Sequence, residues 1–107
     1  MRRVNDATSA FLRSIALTFV SFEVAVEEIR SRSWASATFT GARHELTFRI
    51  AGEGAAEAAD DFIGHLEARE FELHGHIMAD IALVSEERED GGNRVRISLE
   101  ALTVEDR

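Results

Sequence analysis

Between Phe71 and Ser85 the chain reads FELHGHIMADIALVS, and a period of two runs through it. Phe71, Leu73, Ile77, Ala79, Ile81 and Leu83 fall on one side, and Glu72, His74, His76, Met78, Asp80 and Ala82 on the other. Alternation over so long a stretch marks a strand with one buried and one open face. Gly75 interrupts the apolar row, as a bulge or a close backbone approach would. A central strand of an antiparallel sheet is the expectation, and the remaining chain must supply its neighbours and its cover.

Residues 8–31 offer the first cover. Phe11, Ile15, Phe19, Phe22, Val26 and Ile29 recur at steps of three and four with Leu12 beside them, behind Asp6, Thr8 and Ser9 as candidate N-caps. The spacing predicts one long amphipathic helix, although Ile15, Val20, Val24 and Val26 are β-branched and favour strand. Leu17, Val20 and Val24 form a second row on that helix, a candidate subunit contact.

A hairpin is expected next. Ala35, Ala37 and Phe39 alternate with polar residues, Gly41-Ala42-Arg43 makes the turn, and Leu46, Phe48 and Ile50 give the second strand its apolar face. The Gly52-Glu53-Gly54 break leads into a second helix over 55–69, with Ala58, Ala59, Phe62, Ile63 and Leu66 buried. After the third strand, 71–85, the charged stretch 86–93 makes a hairpin tip, and Val95, Ile97, Leu99 and Ala101 line the return strand. Leu102 and Val104 fall out of phase, which predicts a bulge or the strand's end near Ala101.

Helix, hairpin, helix, hairpin is a duplicated α-β-β unit, αββαββ, with halves 8–50 and 55–104 as a pseudo-repeat in a single domain over 1–107. With the first and third strands adjacent, a four-stranded antiparallel sheet of order 2-1-3-4 results, and both helices cover one face of this α+β two-layer sandwich.

The totals exclude several functions. The net charge of −8 repels phosphate backbones, and no basic stripe offsets it, so nucleic-acid binding is not expected. Cysteine is absent, which removes disulfides and thiolate metal sites and fits a cytoplasmic protein. Arg13 and Glu23 interrupt the N-terminal apolar run, so neither a signal peptide nor a membrane span is expected. No nucleophile elbow or phosphate-cradling glycine loop occurs, and no cofactor is called for.

Candidate site residues lie on the open sheet face, where Trp34, Thr38, Thr47, Arg49, His76, Met78, Ala82, Val84, Arg96 and Ser98 are expected. That face reads as too apolar in its middle for bare solvent, so a second subunit or a small ligand should cover it. A ligand would be held by Trp34, Arg49, His74, His76, Met78 and Arg96. His74 and His76, two apart on a strand, have the ligand type and spacing to share a metal, with Asp80 further along. All four histidines, His44 and His65 included, are expected at one end of the sheet. The composite expectation is a non-catalytic homo-oligomer, most simply a dimer. The competing one is a small-molecule or metal-dependent enzyme using the open face with His74 and His76.

Overall fold

The computed structural model describes residues 4–106. Helix α1 (Val4–Thr18) buries Ala7, Phe11 and Ile15 at steps of four, with Phe19 just beyond its end. The helix closes with the Phe19 amide donating to Ile15 O (3.1 Å), and a tight turn follows in which the Phe22 amide donates to Phe19 O (3.0 Å). Strand β1 (Glu23–Ala35) then begins, so the expected helix over 8–31 is half helix and half strand. The β-branched run from Val20 onward prevails over the helical spacing because Val24 and Ile29 pack on the core as strand residues. The bulge between Val26 and Glu28 shifts the phase, and this is what hides the strand from an alternation test. The second helical row dissolves with it: Leu17 stays on the helix, Val20 lies in the turn and Val24 sits in β1.

Residues 36–39 make the first hairpin turn. The Ser36 hydroxyl accepts from the Phe39 amide (3.0 Å), and the Ser36 amide donates to Phe39 O (2.8 Å). Gly41, expected in that turn, lies instead inside β2 (Thr40–Ala51). A side chain there would collide with Thr103 O at 2.0 Å and meet the Trp34 indole nitrogen at 3.0 Å. Helix α2 (Ala55–Gly64) is five residues shorter than the expected 55–69; beyond its cap at His65, Leu66, Phe71 and Leu73 still pack on the core from an irregular segment.

Strand β3 (His76–Glu89) starts later than expected and absorbs the charged Glu86–Glu89 stretch. Gly75 (φ 80°) is the turn that launches it, with the His76 amide donating to Leu73 O (3.0 Å), rather than a break inside it. The tip shrinks to a 3-10 turn (Asp90–Gly92), where three successive residues have positive φ. Strand β4 (Arg94–Glu105) keeps the expected inward row and extends it past Ala101 to Thr103, so no bulge interrupts it and Leu102 and Val104 point to the open face.

The fold is α+β, with a four-stranded antiparallel sheet and a helix preceding each hairpin. Its strand order is β1-β2-β4-β3, a correction to the expected 2-1-3-4. The physical reason lies in the inward rows. Leu46, Phe48 and Ile50 of β2 and Val95, Ile97 and Leu99 of β4 are all fully buried, so these two strands take the centre. β1 carries serines inward and β3 is broken by two bulges, which suits the edges. Both helices cover the same face: Phe19 after α1 meets Phe62 of α2 at 5.1 Å between ring centroids, and Phe48 of β2 lies 5.7 Å from Phe19. No helix among the described residues is long and apolar enough to cross a membrane.

Candidate functional site

Polar chemistry gathers on both sides of the sheet near the 36–39 turn. On the helix side, registry places Ser31 opposite His44 and His44 opposite Ala101. The Thr8 hydroxyl of α1 donates to Ser31 Oγ (2.7 Å), Ser31 lies 2.7 Å from His44 Nδ1, and His44 Nε2 lies 3.0 Å from Thr103 Oγ1. Thr103 in turn reaches Ala42 O at 3.4 Å. One direction satisfies the whole chain: Ser31 donates to Nδ1, and a neutral His44 protonated on Nε2 donates to Thr103. His44 is 1% exposed and stacks obliquely on Phe11 at 5.6 Å. Burial, then the neighbouring His76, push its pKa down to about 4.

This network resembles a serine–histidine pair only in its atoms. No carboxylate orients the imidazole in the hydrogen bonds described, and the core buries the ring. It gives a buried polar group its partners and fixes the registry of β1, β2 and β4 around it. Nearby, the Thr40 hydroxyl donates to Glu105 Oε2 (2.6 Å), across from His76 at the end of β3.

The histidine end therefore divides. His76 is buried on the helix side beside His44, which corrects its expected place on the open face. The cause is the bulge between Met78 and Asp80, which reverses the phase of the strand's first residues. Met78 turns inward with His76 and packs against the core, leaving Ile77 exposed. His74 lies exposed in the turn before β3, and Asp80 is exposed at the bulge. His65 caps α2, its Nδ1 2.9 Å from Asp61 O. The proposed metal set His74, His76 and Asp80 is thus not brought together. Among the described residues no three histidine, cysteine or acidic side chains gather as a metal site.

The open face is also different from its expected character. Its middle is polar: Thr47 Oγ1 and Ser98 Oγ are 2.8 Å apart, and beside them Glu27, thrown out by the β1 bulge, bridges two arginines. Arg49 Nε donates to Glu27 Oε2 (3.0 Å) and Arg96 Nε to Glu27 Oε1 (2.7 Å). Those bonds, Arg49 first, hold the Glu27 carboxyl below its usual pKa and raise that of Arg96. Arg49 and Arg96 are therefore brought together, but occupied with Glu27. Trp34 lies at the other end of the face, paired with Gly41. Its indole nitrogen is buried without a hydrogen-bond partner among the described residues.

Between these ends lies a shallow cleft of about 320 Å³ lined by Arg30, Arg32, Arg43, Glu45 and Glu100, with Ser31, His44 and Ala101 beneath. None of these charged residues was singled out by sequence. Arg30 and Arg32 alternate in a segment that read as helix or loop, and the cross-strand partners could not be known before the strand order. Comparison with known protein families, curated proteins and solved structures finds no match for this chain.

Proposed function

We propose that the protein is a non-catalytic binding module that works as a twofold homodimer joined along β3. The observation that carries this reading is the exposure of large apolar side chains on one edge strand: Ile77 (53%), Leu83 (38%) and Val84 (57%). Beside them, past the end of the shortened α2, runs a groove lined by Ile63, His65, Leu66, Glu67 and Ala68, with the buried Ile81 at its floor and Leu83 left exposed. Three of the seven large apolar side chains exposed among the described residues thus lie on this one strand, and such surface favours burial against another protein.

A second copy is the occupant that the charge pattern favours. A twofold contact sets the residues near its axis against their own copies, so on a chain of net charge −8 it works best where charge is sparse. Asp80 is the one acidic or basic residue between His76 and Ser85, whereas Glu86–Glu89 just beyond are all charged. The open face, with its arginine–glutamate clamps already satisfied, supports an interface less well than β3 does. An enzymatic reading has little to stand on, because the serine–histidine contact is buried. A cytoplasmic setting fits a chain without cysteine.

Sedimentation velocity tests the reading. The wild type should run as a dimer at micromolar concentration, and Val84→Lys should run as a monomer with its helix content unchanged. A wild type that stays monomeric at tens of micromolar contradicts it.

A further inference from the structure

On the open face the sheet sets like charges directly opposite each other twice in adjacent rows. Arg32 pairs with Arg43 across β1 and β2, and Glu45 pairs with Glu100 across β2 and β4. Like charges in facing positions destabilise a sheet. The same face shows the opposite solution nearby, where Glu27 sits between Arg49 and Arg96. Arg32, Arg43, Glu45 and Glu100 form no ion pair among the described residues; Arg30 stands opposite Glu45 across β1 and β2, but its guanidinium turns to Glu28 at 3.4 Å.

Both pairs line the same cleft. Diagonal neighbours on a sheet face lie ~7–8 Å apart, and these side chains are long enough to converge on one small molecule. Two guanidiniums side by side are suited to a planar or tetrahedral anion, because each presents a fork of N–H donors. Two carboxylates side by side are suited to a primary ammonium, which offers donors to both.

We propose that this cleft binds a small zwitterion. Its phosphate or carboxylate lies between Arg32 and Arg43, and its ammonium lies between Glu45 and Glu100. The ligand removes the like-charge conflict in both pairs at once, which neither a simple anion nor a simple amine can do. The cleft spans β1, β2 and β4, so it stays open in a dimer joined along β3, and the proposal stands or falls apart from that dimer.

Calorimetry on the full chain decides it, with O-phosphoethanolamine and γ-aminobutyrate as zwitterionic probes and inorganic phosphate, acetate and ethanolamine as single-charge controls. At least one zwitterion should bind once per chain, and about tenfold or more tighter than its single-charge fragments. Which of the two binds tells phosphate from carboxylate. Arg43→Gln should weaken the bound zwitterion by about tenfold or more. Glu45→Gln should weaken the zwitterion too, yet strengthen the matching simple anion, a change of opposite sign that loss of fold cannot produce. Flat titrations with both zwitterions overturn the proposal. So does a zwitterion bound no better than its anion alone, or one whose affinity is unmoved by Glu45→Gln.

Discussion

His44 makes the stability of this protein sensitive to acid. Its imidazole is held near pKa 4 in the fold, against 6.5 in an unfolded chain. Between those values the unfolded chain binds the extra proton, so stability rises with pH and is lost as pH falls from 6.5 toward 4. The slope within that window reaches up to about 1.4 kcal/mol per pH unit for one group. The difference between wild type and His44→Gln isolates this one group and is the quantity to follow. Denaturant melts from pH 7.5 to pH 4 should show a steeper loss for wild type. Parallel curves for the two proteins would mean that His44 is not sealed in its neutral form. From sequence His44 was visible as one of four histidines expected at one end of the sheet, without its hydrogen-bond partners. Its partners Ser31 and Thr103 lie 13 and 59 residues away, and Thr8, which donates to Ser31, lies 23 residues from that serine. Separation of that kind leaves no local pattern to read.

At the scale of elements, β3 shows how one residue out of phase inverts an assignment. Ile81 is buried at 5% exposure as its alternation predicts. Ile77, four residues earlier and nominally on the same side, is turned outward because a bulge intervenes between Met78 and Asp80. Ile81→Ala should therefore cost about 2–5 kcal/mol, since the side chain lies where β3 meets the core. Asp80→Ala, at an exposed bulge, should stay within about 0.5 kcal/mol. Equal losses in chemical denaturation would show that the faces of β3 are misassigned. β2 and β4 were legible in large part because each alternates without a break through its apolar row. β1 was not: its bulge at Glu27 and the helical spacing of Phe11, Ile15 and Phe19 upstream both argue for helix, and the turn at 19–22 rests on the β-branched residues that follow.

Across the whole molecule, helix and hairpin order followed from the sequence, whereas the neighbours of each hairpin did not. An all-antiparallel sheet with both helices on one face can be built with either hairpin strand inside. The choice depends on which inward rows are fully apolar, and in the sequence β1 is hidden behind the helical spacing upstream of it and its own bulge. The candidate cleft inherits the same blindness: Glu45–Glu100 pairs β2 with β4 and exists only in the order β1-β2-β4-β3, and Arg32–Arg43 requires a β1 that extends back through Arg32. That order also leaves β3 at an edge, with its outer backbone groups available to a second copy.

Backbone amides along β3 give the most direct test of self-association through that edge. Hydrogen exchange measured at protein concentrations well below and well above the dimer's dissociation constant should show residues 76–85 becoming more protected as concentration rises. The equally exposed edge β1 should keep its exchange rates unchanged. Protection that rises along β1 instead, or exchange along β3 that is the same at every concentration, would contradict the account.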